Sequence, residues 1–228
     1  MSTKNRTILI PGYSTGENSF GVGKHYLEYI SKFGNPRILL PSDTKVLQGD
    51  LLFLPGGLDL NPASYGQNVS YYTSNIDVHK QNFYDKMLPR YIEQGIPIFG
   101  MCLGMQMLNV FFGGTLTQHI ENHPESIARG RSAHRVLQVL SYDNNELVVD
   151  SLENKEGKET KGFPVNSHHH QGVYLNNLSP EFKPLYASPD GVIEIIKHKT
   201  KPILGCQAHF EEFHSPEVDK MFEKLFNH

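Results

Sequence analysis

Hydrophobic residues in the first half of this chain fall into short unbroken runs, separated by longer stretches with helical spacing. Thr7 to Ile10, Arg37 to Leu40 and Leu51 to Leu54 read as strands, closed in turn by Pro11-Gly12, Pro41 and Pro55-Gly56-Gly57. Ile96 to Phe99 is a fourth. Between them, His25 to Phe33 carries Tyr26, Tyr29, Ile30 and Phe33 at helical spacing, with Gly34 and Asn35-Pro36 as its stop. Asp77 to Glu93 is a second helix, with Phe83, Met87, Leu88, Tyr91 and Ile92 on one face and Gln94-Gly95 at its end. The glycine-rich stretch from Tyr13 to Gly23 reads as a loop. Strands that are apolar throughout, rather than alternating, suit a parallel sheet covered on both faces. The order predicts an α/β fold: a doubly wound, mostly parallel, flavodoxin-like sheet with helices on both faces. Ligands of such a sheet bind outside the carboxyl ends of its strands.

The second half is less regular. Arg135 to Leu140 and Glu146 to Val149 read as a hairpin around Tyr142-Asp143-Asn144-Asn145. Leu152 to Lys161 is charged and expected at the surface. Gly191 to Ile196 and Pro202 to Gln207 are further strands, and Pro216 to Phe226 is a closing amphipathic helix. Neither an internal repeat nor a low-complexity linker is evident.

One stretch carries candidate chemistry. The strand ending at Phe99 runs into Gly100-Met101-Cys102-Leu103-Gly104, and helix-favouring residues follow at once. A residue at the apex of such a turn is held in a strained conformation, tolerated because its glycine neighbours leave room for strand and helix, and its side chain points outward. Cys102 then lies at a helix N-terminus, where free amides and the dipole favour the thiolate, its reactive form. The amide of Leu103 points the right way to hold an oxyanion. Alone, this pattern also fits a buried cysteine between packing glycines.

A cysteine nucleophile needs a base, and the base an orienter. Gln207-Ala208-His209-Phe210-Glu211 supplies both at a strand end. On extended backbone, residues two apart share a side, so His209 and Glu211 can pair while Glu212 faces away. The acid follows the histidine, which disfavours an α/β-hydrolase. Gly56-Gly57 ends the third strand, where a turn without side chains lets the Gly57 amide approach a reacting oxygen as the second donor of an oxyanion hole. Asn166-Ser167-His168-His169-His170-Gln171 invites a metal. Its histidines alternate in direction, so only His168 and His170 could share a side, and neither a Cys nor an Asp nearby completes a set. No metal and no cofactor is expected.

Composition narrows the rest. With 228 residues, 38% hydrophobic and 20% charged, one sizeable core and a single domain over 1–228 are expected. The formal net charge of -3 gives no footprint for nucleic acid or an anionic membrane. Two cysteines, Cys102 and Cys206, make no disulfide framework and point to a reducing compartment. The N-terminal apolar run is too short for a signal peptide, and no later run reaches membrane-spanning length. A soluble, cytoplasmic protein is expected.

Together these motifs resemble the class I glutamine amidotransferase-like proteins, and among them the γ-glutamyl hydrolase (peptidase C26) group that includes γ-glutamyl-γ-aminobutyrate hydrolase. The matching stretches are Pro55-Gly56-Gly57-Leu58-Asp59 with Pro62 and Tyr65-Gly66, and Gly100 to Gln106 running through Asn109-Val110 to Gln118. His134 before Val136, Val165 to Gln171, Ser188 to Glu194 and Gln207 to Glu211 follow in the family's order. The resemblance covers most of the chain after Leu51. It departs at Ala208 and Phe210, where the family usually has an aromatic or another apolar residue and then proline.

The resemblance implies the class I glutamine amidotransferase fold and a triad of Cys102, His209 and Glu211. Gly57 and Leu103 would hold the oxyanion. Gly56, Gln106, Ser167 and His168 would lie near the α-amino and α-carboxylate groups of a γ-glutamyl substrate. The activity expected is hydrolysis of a γ-glutamyl amine or glutamine through a γ-glutamyl thioester. Two alternatives stay open: a glutaminase subunit feeding ammonia to a separate synthetase, and a silent binding protein of the same fold. Beyond the small-molecule substrate, the partner expected is a second copy or that synthetase. The leaving amine has no readable motif in Gln67 to Val78 or Glu121 to Ala133.

Overall fold

A computed structural model describes residues 5–16, 19–73, 76–143, 146–150 and 162–227. Five strands make its parallel half: β1 (Thr7–Pro11), β4 (Asn35–Leu39), β5 (Leu51–Leu54), β6 (Ile98–Met101) and β12 (Ile203–Cys206). Their order across the sheet is β4-β1-β5-β6-β12. The sheet then continues antiparallel through β11 (Ile193–His198), β10 (Phe182–Ala187), β7 (His134–Tyr142) and β8 (Leu147–Val149), and β9 (Gly162–Val165) pairs with β7. The fold is therefore α/β with a mostly parallel core, as its apolar runs predict.

Alternate residues of one strand supply the cores of opposite faces. Leu9, Leu52, Leu54 and Ile98 pack with Leu88, Tyr91 and Leu108 on one side. Ile8, Ile10, Phe53 and Phe99 pack with Tyr29, Ile30, Phe33 and Phe222 on the other. The rings of Phe53 and Phe99 stack at 5.8 Å between adjacent strands. The helices that cover these faces are α1 (Lys24–Ile30), α2 (Val78–Lys86), α3 (Leu88–Glu93), α4 (Leu103–Phe111) and α5 (Pro216–Lys224). Each fully buried Phe or Leu contributes about 1.5–3 kcal/mol, and this pleated double core holds the strand ends in register.

Three details depart from the sequence-based expectations. The helix expected over 77–93 breaks at Met87, because Pro89 cannot donate a backbone hydrogen bond and opens the first turn of a new helix. The loop expected from Tyr13 to Gly23 holds a short antiparallel pair, β2 (Tyr13–Gly16) and β3 (Ser19–Gly21). Strands β9 and β10 have no counterpart in the sequence reading. The β7–β8 hairpin forms as expected, but its turn residues 144–145, and the charged stretch expected at the surface over 152–161, lie outside the described residues. Among the described residues no helix is long and apolar enough to cross a membrane.

Candidate active site

The turn between β6 and α4 is as tight as the glycine spacing requires. Cys102 occupies it with φ 52° and ψ -111°, a positive φ that a side chain rarely adopts. Its amide donates to the carbonyl of Cys206 at 2.7 Å, and its own carbonyl accepts from the Gln106 amide at 3.1 Å to start the helix. Gly104 is what permits the approach: a Cβ there would run into the Leu54 carbonyl, and one on Gly100 would lie 2.6 Å from the Gly104 carbonyl. The sulfur is thereby lifted to the carboxyl edge of the sheet, 5% exposed, above the first turn of α4.

The base comes from the segment after β12. Asn166 clamps its backbone on both sides, donating to the His209 carbonyl at 3.0 Å and accepting from the His209 amide at 2.8 Å. The His209 ring then meets the Glu211 carboxylate, Nδ1 to Oε1, at 2.6 Å, while the Tyr26 hydroxyl lies 3.5 Å from the same nitrogen. The same imidazole interacts electrostatically with Cys102. Burial acts to lower the His209 pKa. The charge and hydrogen bond of Cys102, together with Glu211, override it and hold the group well above its ordinary 6.5. Beneath the sulfur, Gln207 Nε2 lies 3.5 Å from Cys102 Sγ. Gln106 Nε2 in turn binds Gln207 Oε1 and the Gln171 carbonyl, both at 3.1 Å.

A cleft of about 640 Å³ opens in front of this group, walled by Tyr13, Tyr26, Gly57, Lys80, His168 and Glu212. Gly56 lies close against both side chains, since a Cβ there would come within 2.7 Å of His209 Cε1 and 3.4 Å of Cys102 Cβ. Lys80 is 7% exposed, donates to the Gly56 carbonyl and holds its ammonium 4.7 Å from the centre of the Tyr13 ring. Burial pushes its pKa down to about 8, against the opposing charges of Asp77 and Cys102.

The structure brings Cys102, His209, Glu211, Gly56, Gly57 and the first turn of α4 at Leu103 to one place. His168 joins them on the cleft wall, its ring 6.0 Å from that of His209 and its Nε2 3.5 Å from Glu212. Gln106 and Ser167 are buried behind that wall. The Gln106 Nε2 donor is already engaged as described, whereas Ser167 Oγ has no partner. Tyr26, Lys80, Asn166 and Gln207 were missed. Lys80 had a signal, since 80, 83, 84 and 87 trace one helical stripe on which it is the one charge. Tyr26 is read by sequence as part of an apolar helix face, and Asn166 and Gln207 stand within motifs without a role of their own. Among the described residues a group with the geometry to hold a metal ion lies elsewhere, at His123, His169 and Glu194.

Known proteins resemble this chain over most of its length. The profile of the peptidase C26 family matches residues 13–211. Protein NtpR of Enterococcus hirae is 32% identical over 170 residues, 74% of this chain and 69% of its own. The γ-glutamyl-γ-aminobutyrate hydrolase PuuD of Escherichia coli K12 is 29% identical over 166 residues, 71% of this chain and 64% of its own. Among solved structures, a glutamine amidotransferase of Thermotoga maritima superposes with a TM-score of 0.57 at 16% identity, covering 98% of this chain and 83% of that one. That last likeness concerns the fold alone.

Proposed function

The chain belongs to the peptidase C26 family, and from that premise we propose that its cleft cleaves γ-glutamyl amides by way of a thioester on Cys102. At family level the chain is a C–N hydrolase of the γ-glutamyl hydrolase and glutamine amidotransferase type. The observation that carries the finer reading is the strained Cys102 facing a histidine whose Nδ1 is held by Glu211 at 2.6 Å. A backbone forced to positive φ costs on the order of 1–3 kcal/mol and persists where it presents a reacting group.

The sulfur attacks the γ-carbonyl carbon. The C–S bond forms, and the carbonyl oxygen takes the charge between the amides of Gly57 and Leu103. His209 passes its proton to the amide nitrogen, the C–N bond breaks, and the amine leaves. Water then gives a proton to His209 and attacks the thioester; glutamate departs and the sulfur is restored. Glu211 keeps the imidazole in one tautomer throughout. Lys80, by holding the Gly56 carbonyl, fixes the turn that presents the Gly57 amide. Similarity to PuuD favours a hydrolase, whereas the glutaminase-subunit reading leans on relatives named putative glutamine amidotransferases and on a likeness of fold.

Incubation of the protein with glutamine and a panel of γ-glutamyl amines, followed by intact-mass spectrometry, tests both. A hydrolase releases glutamate unaided and shows a γ-glutamyl adduct on the peptide containing Cys102. Turnover that persists in Cys102→Ala, or an adduct elsewhere, overturns the assignment.

A further inference from the structure

Behind the cleft, four segments far apart in sequence meet at a buried knot of titratable side chains. Glu194 comes from β11 and is 1% exposed. Around its Oε1 lie three imidazole nitrogens: Nε2 of His134 at 3.2 Å, of His123 at 3.6 Å and of His169 at 4.0 Å. Only the His134 contact is a hydrogen bond. Glu194 Oε2, His123 Nε2 and His169 Nε2 are buried without a hydrogen-bond partner, as is His134 Nδ1. An unpaired buried polar atom costs on the order of 1–3 kcal/mol and a buried carboxylate more, so three converging on one point ask for something between them.

We propose that His123 Nε2, His169 Nε2 and the Glu194 carboxylate bind a divalent transition-metal ion of the Zn²⁺ class, with His134 steadying the carboxylate. Ligand atoms about 2.0–2.1 Å from a tetrahedral ion lie about 3.3 Å apart. Here the three ligand atoms fall within 4.8 Å of one another, close enough for modest side-chain rotation to complete the set. The outer contacts are those a metal-binding imidazole needs. His123 Nδ1 meets Asp190 Oδ2 at 2.7 Å and His169 Nδ1 meets the Gln171 carbonyl at 3.0 Å, which fixes both tautomers with Nε2 facing inward. Asp190 is itself held by Ser188. The two carboxylates, Glu194 and Asp190, balance a dication among neutral imidazoles.

The site is structural. It ties the loop carrying His123 and the segment carrying His169 to the sheet. Its link to the cleft runs through the Gln171 carbonyl, which also anchors Gln106, the residue that positions Gln207 under Cys102. This departs from the expectation of no metal, because its ligands are His123, the middle histidine of the triplet and a distant glutamate, which no local spacing reveals.

The experiment is metal titration of the whole chain, stripped by chelator and competed against a chromophoric chelator. One equivalent of Zn²⁺ is taken up, Tm rises, and Co²⁺ in its place gives the intense visible bands of a four-coordinate N/O site, the fourth position taken by the second Glu194 oxygen or a water. His169→Gln and Glu194→Gln each weaken Zn²⁺ at least about 100-fold, Asp190→Asn about 10–100-fold, and exposed His214→Gln not at all. If Glu194→Gln does not fold, His123→Asn makes the same comparison. The proposal fails if stripped wild type takes up less than one equivalent, if Zn²⁺ leaves Tm unmoved, or if the ligand variants bind as tightly as wild type. None of these readouts depends on turnover, so they stand apart from the fate of the thioester mechanism.

Discussion

The two halves of the sheet treat polar groups in opposite ways. Strands β1, β5, β6 and β12 of the parallel half bury almost nothing but hydrocarbon, and their chemistry is gathered beyond the carboxyl ends, where Cys102, His209 and Glu211 line or adjoin an open cleft. The antiparallel half draws its polar residues inward. Glu194 and His198 on β11 are each 1% exposed, and the carboxylate collects histidines from three other segments. In the cleft, His209 Nδ1 is paired with Glu211, whereas the inner knot leaves four atoms without a hydrogen-bond partner. A group at the strand ends can be strained and reactive because the apolar half beneath it provides the stability. A buried group is retained only if its own neighbourhood satisfies it.

The largest effect follows for Cys102→Ala: turnover of any γ-glutamyl amide falls by about 10⁴-fold or more, with Tm little changed, since the site is not what holds the fold together. Steady-state kinetics with calorimetry checks both halves of that statement. The same variant removes the charge that lifts His209, so its imidazole titrates at lower pH by NMR. A raised histidine pKa contributes stability that is complete below the ordinary 6.5 and fades as pH climbs through the folded value. Cys102→Ala shrinks that contribution, and the slope of Tm against pH above 6.5 flattens. Next comes Glu211→Gln, which keeps the shape but loses the carboxylate. A fall in kcat on the order of 10² to 10³, with KM nearly constant and the His209 titration moved toward acid, is expected. An unaltered kcat would remove Glu211 from the triad and break the contrast between the two histidine environments.

The parallel half was legible because most of its strands are short apolar runs closed by proline or glycine, and the elbow because Gly100 and Gly104 bracket a cysteine. His209 and Glu211 followed from two-residue alternation. The antiparallel half was not, for a physical reason. Strand β9 reads Gly162-Phe163-Pro164-Val165, with a proline that local rules count against a strand, and it forms because β7 pairs with it from far along the chain. Strand β10 likewise contains Pro184 and has register shifts along its pairing with β11. The cleft wall escaped for a related reason: Tyr26 and Asn166 act through contacts 183 and 43 residues away. Such contacts leave no local period to read.

Two smaller effects separate support from chemistry at the same turn. Gly104→Ala pushes a methyl into the Leu54 carbonyl and has no flexible side chain to displace, so it destabilises by about 1–3 kcal/mol, or about 2–4 °C of Tm per kcal/mol. Activity falls with it as Cys102 tilts, whereas Tm alone would move if the elbow relaxed independently. Lys80→Met keeps the length and apolar stem but removes the ammonium bound to the Gly56 carbonyl. A several-fold loss of kcat is expected, with a change in pH profile that a packing role would not produce. With its pKa near 8, wild-type Lys80 loses its proton as pH rises through that value, so wild-type activity carries an alkaline limb there that the variant lacks. Stability moves the other way. Folding disfavours protonation of Lys80 relative to its ordinary 10.5, so the burial cost is fullest below about pH 8 and disappears as pH rises toward 10.5. Lys80→Met escapes that cost, and at neutral pH the variant is expected to be slower and no less stable.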